Sequence, residues 1–136
     1  MMIHKLVGAF ALLVCSALAW AEMPVIELSA GFHRIEAEVA ADQKNRMVQR
    51  GMLFVFTEKN THCMWMRNTF IPLSVAFIDE EGRIINIEDM QPQTESNHCA
   101  KVPARYALEM NIGWFAQRGI KPGTKLNGID KAPRPQ

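Results

Sequence analysis

The chain has 136 residues, enough for one domain. With 49% hydrophobic and 21% charged residues it is not the composition of a disordered chain. The formal net charge is +1 and no long charge run occurs, which argues against nucleic acid as a partner.

Residues 1–21 read as a secretory leader. Lys5 gives a basic start, Leu6 to Ala21 is apolar, and Ala19-Trp20-Ala21 has the small-x-small form that signal peptidase cleaves. No basic stop-transfer flank follows, so no stable membrane insertion is expected after cleavage. Val14 before Cys15 does not fit a lipobox. Removing 21 residues from 136 leaves 115, with Cys63 and Cys99 as the remaining cysteines. An even pair in an exported chain is most simply one disulfide. By chain entropy it is worth about 3–4 kcal/mol. The protein is therefore expected to be periplasmic or secreted, with one domain over 22–130 and a disordered tail over 131–136.

Val25 to Ala30 predicts a short strand, closed by a Gly31 turn. His33, Ile35, Ala37 and Val39 alternate with Arg34, Glu36 and Glu38, a strand with one apolar and one solvated face. Asp42 is positioned to cap a short helix running to Arg50, stopped by Gly51. Met52 to Phe56 is a buried strand. His62 to Arg67 is strand-like. Leu73, Val75 and Phe77 alternate, Asp79 to Gly82 turns, and Arg83 to Met90 returns with Ile85 and Ile87 on one face. Gln91 to Val102 is a loop. Tyr106, Leu108 and Met110 alternate with Ala107 and Glu109 in another strand. Asn111 to Arg118 predicts a second short helix, ended by Gly119. Lys125 to Ile129 predicts an edge strand. The fold class is mainly β (α+β): an antiparallel sheet with two short helices.

Gly51-Met52-Leu53-Phe54-Val55-Phe56, Trp65-Met66-Arg67-Asn68-Thr69, Ile71-Pro72-Leu73, Phe77-Ile78-Asp79 with Gly82, Met90 with Pro92, and Leu108-Glu109-Met110 with Gly113 stand in a specific order. The set resembles the domain of unknown function 192 family over Ile26 to Leu126. The resemblance implies a small, mostly β, barrel-like domain, often exported, and implies no activity. Two departures stand out. Ser74 occupies a position where the family usually carries Asp, and Arg46 to Gly51 runs directly into Met52 without the usual spacer, which bears on the surface formed there.

The main candidate binding residues are Trp65, Arg67, Asn68, Thr69 and Glu109. Trp65 offers an apolar plate with one donor, Arg67 a rigid donor fork, and Asn68 both donors and acceptors. Glu109 points away from the face of Tyr106, Leu108 and Met110. These residues could anchor a small ligand or an envelope protein. The structural alternative is that Arg67 pairs Glu109 while Asn68 ties down backbone. A second constellation, His62-Cys63 and His98-Cys99 with Met64, Met66 and Met90 near, offers a copper or zinc donor set. Strand neighbours point to opposite faces, which works against convergence of each His with its Cys. No cofactor is indicated. Ser74, Ser96, His33, His62 and His98 occupy no nucleophile elbow, and no residues fill a complete set of catalytic roles. The sequence therefore favours a non-enzymatic binding or accessory protein of the envelope.

Overall fold

A computed structural model of the chain describes residues 23–40 and 50–135. The leader (residues 1–21, with Cys15) and all of the Asp42 helix except Arg50 lie outside the described residues. The apolar alternations become strands β1 (Val25–Ala30), β2 (His33–Ala40), β3 (Gly51–Asn60), β4 (Cys63–Met64), β5 (Leu73–Ile78), β6 (Ile84–Met90), β7 (His98–Cys99) and β8 (Ala104–Asn111). Helix α1 (Trp114–Gln117) and a 3-10 turn (Ile129–Lys131) follow.

Six strands form one sheet in the order β1-β2-β3-β8-β5-β6, and β4 with β7 forms a separate two-stranded ladder. The expected all-antiparallel sheet is corrected to a mixed one. Strands β2 and β3 run parallel, with Ala37 opposite Gly51 and Ala40 opposite Phe54. Alternation identifies a half-buried strand but carries no information about its direction. Gly51 is tightly packed in this arrangement: a Cβ there would run into Met110 Sδ.

The sheet does not close into a barrel. Its two edges are instead stitched by one segment. Thr124 accepts from the Ile84 amide at 2.9 Å, and the Leu126 amide donates to the Gly82 carbonyl at 2.8 Å, at the entry to β6. Asn127 then exchanges two backbone hydrogen bonds with Ser29 on β1, at 3.1 and 2.8 Å. The expected edge strand over Lys125–Ile129 is thus a pair of isolated bridges leading into the 3-10 turn. Gly128 makes the close approach possible. Its φ is +90°, and a Cβ there would lie 2.6 Å from the Glu27 carbonyl oxygen. Among the described residues α1 and the 3-10 turn are the helical elements, so the second helix of the sequence reading shrinks to four residues. Gly113, at φ 76°, separates it from β8, which absorbs Asn111.

Both sheet faces are covered. Leu28, Ile35, Leu53, Ile78, Leu108, Phe115 and Leu126 build the core on the face under α1 and the stitching segment. Met52, Phe54, Met64, Met66, Val75, Phe77 and Met90 build the second core, under β4, β7 and their flanking loops. Strand β5 is buried at every position, so the expected alternation of Leu73, Val75 and Phe77 with Ser74 and Ala76 does not mark a solvated face. A register shift between Phe77 and Ile78 alters the far end of β6. Ile84 and Ile87 pack in the first core and Ile85 against the second, so Ile85 and Ile87 do not share the expected face. An added residue reverses the side-chain alternation locally.

Candidate functional site

The Trp65 to Phe70 segment leaves β4 and turns before β5. Its backbone is fixed on both sides: the Met66 amide donates to Thr94, the Thr69 amide to Met66, and the Gln93 amide to Thr69, at 3.1, 3.1 and 3.0 Å. Met66 is fully buried and plugs the turn into the second core. Asn68 takes φ 60°, a conformation that Asn tolerates better than most residues. Only the core of the expected His62–Arg67 strand, Cys63–Met64, forms a ladder.

On this scaffold the sequence-predicted residues separate by depth. Arg67 and Asn68 are exposed, and Trp65 is half-buried. Phe70, which the sequence reading passed over, is 77% exposed. The guanidinium of Arg67 stands 5.6 Å from the Trp65 ring centre, and its Nε is 3.6 Å from Glu95 Oε1. Thr69 and Glu109 are buried, 4% and 3% exposed, and both are partnered. Glu109 sits opposite Met52 on β3 and Val75 on β5, on the face of the second core as the alternation of β8 requires. The Arg67 ion pair is therefore a solvated one with Glu95, and such pairs are screened.

The cover around this turn is tied down by covalent and polar links. Cys63 and Cys99 are direct partners in the β4–β7 ladder and form a disulfide across a sequence separation of 36. Asn86, 3% exposed, donates to Glu88 and to the Cys99 carbonyl and accepts from the Lys101 amide, all at 3.1 Å. A buried amide needs these partners, and here they dock β6 to the cover. Nothing in the alternation of β6 marks Asn86 beforehand.

The disulfide occupies both sulfurs of the two His-Cys pairs. Met64 faces His98 in the ladder register, one step from the cysteine pair. His62 stacks on Phe56 at 3.8 Å and donates from Nε2 to the Glu58 carbonyl at 2.8 Å. Among the described residues no group of three or more His, Cys, Asp or Glu side chains converges as a metal site. No helix among them is long and apolar enough to cross a membrane.

On the other face, Ser74 is 1% exposed and donates to Asp89 Oδ1 at 2.6 Å, while the Gly113 amide donates to Ser74 Oγ at 3.0 Å. The nearest marker of this pair in the sequence is Ser74 itself, standing after Pro72-Leu73. Farther off, Lys59 and Glu80 meet at 3.0 Å. Their hydrogen bond, then their opposite charges, hold Glu80 below the usual glutamate pKa and Lys59 above the usual lysine one.

Residues 25–128 match the sequence model of the family DUF192, described as Uncharacterized ACR. No curated protein matches the chain. The fold is similar to that of a candidate transcription regulator from Sinorhizobium meliloti 1021, at 31% identity and TM-score 0.66, over 77% of this chain and 92% of that one. It is also similar to a protein of unknown function from Novosphingobium aromaticivorans DSM 12444, at 28% identity and TM-score 0.64, over 76% of this chain and 83% of that one.

Proposed function

The chain belongs to the DUF192 family, described as uncharacterised, and from that premise we propose that it is an exported, non-enzymatic binding protein whose recognition surface is the Trp65 to Phe70 turn. The observation that carries the proposal is the exposure of Phe70, 77%, on a turn whose backbone is otherwise held by three hydrogen bonds. An exposed aromatic residue on a rigid support binds at low entropic cost, because little freedom remains to be lost. Arg67 and Trp65 beside it are residue types enriched at protein interfaces. Asn68 adds adaptable hydrogen bonding, the backbone of Thr69 anchors the turn to Gln93, and buried Glu109 stands on the same face of the sheet. The occupant is an envelope protein or a small ligand presenting an apolar group next to a hydrogen-bond acceptor.

Export is supported by the basic start, apolar run and Ala19-Trp20-Ala21 end of the leader, and by the use of both later cysteines in one disulfide. The place of action is the periplasm or the cell exterior.

The test is capture from the exported fraction by the wild-type protein, Arg67→Ala and Asn68→Ala. Loss of a specific captured component in both variants, with each still cooperatively folded, is the expected outcome. Variants that change only melting temperature and capture as the wild type does would remove the site assignment.

A further inference from the structure

We propose that a groove on the first-core face, on the far side of the sheet from the Trp65 turn, binds a free α-amino acid with an aliphatic side chain. The groove has a volume of about 440 Å³ and opens between the β5–β6 pair and the segment of α1 and residues 119–122. That volume suits a small molecule.

Its chemistry follows from three parts. The floor is apolar, built by Ile87, Phe115 and Ile120. Asp89 supplies a fixed anion. Ser74 and Asp89 are register partners across β5 and β6, so both side chains rise on the same face. The Ser74 hydroxyl is itself held by the Gly113 amide and donates to Asp89 Oδ1 at 2.6 Å, which leaves Oδ2 for a second donor. Lys121, exposed on the α1 side, supplies a cation. Its backbone is pinned by a hydrogen bond from its amide to Thr124 Oγ1 at 3.3 Å. Among the described residues neither Asp89 nor Lys121 belongs to an ion pair.

One oriented carboxylate and one long, mobile ammonium beside an apolar floor are the complement of a zwitterion carrying a hydrocarbon side chain. The ligand ammonium meets Asp89, its carboxylate meets Lys121, and the side chain lies against Ile87 and Pro122, above the buried Phe115 and Ile120. An amine without a carboxylate leaves Lys121 unused. A carboxylic acid without an amine leaves Asp89 unpaired beside it. This ligand is independent of the Trp65 surface and lies on a different face.

The experiment is an amide-resolved NMR titration of the purified protein with L-leucine, L-leucinamide and 4-methylpentanoate. Leucine is expected to give saturable shifts at Gly113, Phe115, Ile120 and Lys121, with the other two compounds at least about tenfold weaker. Asp89→Asn and Lys121→Met are each expected to weaken leucine by about tenfold or more while leaving the dispersed spectrum intact. The proposal is overturned if leucine gives no saturable shift at roughly millimolar concentration. It is equally overturned if leucinamide or 4-methylpentanoate binds as tightly as leucine, or if either variant binds leucine as the wild type does.

Discussion

Gly128 carries more of the fold than its lack of a side chain implies. It combines φ +90° with a carbonyl oxygen at 2.6 Å from where a Cβ would stand, and that oxygen belongs to Glu27 on β1. Backbone does not yield as a flexible side chain does. Gly128→Ala is expected to destabilise the protein by about 1–3 kcal/mol, read from denaturant midpoints. Gly31→Ala serves as the control, since it shares a positive φ but has open space around it. Equal losses at both sites would mean that dihedral strain alone matters and the stitch to β1 does not. The Lys59–Glu80 pair acts at the same scale. Glu80 titrates below its usual value when folded, so its contribution is present above the ordinary glutamate pKa and is lost as pH falls through the lowered one. Lys59 titrates above its usual value, so its contribution is present below the ordinary lysine pKa and is lost as pH rises through the raised one. Both side chains are exposed, so the effect is small and screened by salt. Denaturation midpoints measured against pH are expected to show a shallower acid limb for Glu80→Gln than for the wild type at low salt. An identical acid limb would mean that the pair adds nothing to stability.

Elements with a strong local pattern were readable beforehand. Val25–Ala30 agrees with β1 at both ends, and the Leu73 and Arg83 runs become a hairpin, because alternation and the Asp79-Glu80-Glu81-Gly82 turn act over a few residues. The sequence places Glu109 on the face away from Leu108 and Met110, and it lies there. What was not readable depends on long-range pairing. The parallel β2–β3 neighbours, the bridges of residues 123–128 to two edges, and the register shift that splits Ile85 from Ile87 have no local signature. The candidate turn was legible as a block of residue types, but Phe70 was not. Its exposure results from Met66 and Thr69 being the residues that turn inward. The β4–β7 ladder illustrates the same limit, since two residues on each side hold no periodicity to read. Its disulfide closes a loop of 36 residues and holds the cover of the second core. Reduction, or paired Cys63→Ala and Cys99→Ala, is expected to cost about 3–4 kcal/mol. Hydrogen exchange should then rise first around Met64, Met66 and Ala100. A melting curve unchanged by reductant would show that the polar tie through Asn86 holds the cover unaided.

Taken whole, the molecule is a curled, two-faced sheet stitched at its edges, and the two faces offer different chemistry. One face lies under α1 and carries the Ser74–Asp89 groove. The other is sealed by a disulfide-bonded cover from which an aromatic and basic turn projects. Phe32, 106% exposed in the two-residue turn between Ala30 and His33, provides an internal control, because it is an exposed aromatic residue outside the Trp65 to Phe70 turn. The decisive measurement is site-specific crosslinking in intact cells, with a photoreactive residue in place of Phe70 or of Phe32. A discrete adduct from position 70, absent from position 32 and abolished by Arg67→Ala in a still-folded protein, is the expected result. No adduct at position 70, or the same adducts from both positions whether or not Arg67 is present, would contradict the Trp65 to Phe70 turn as the recognition surface.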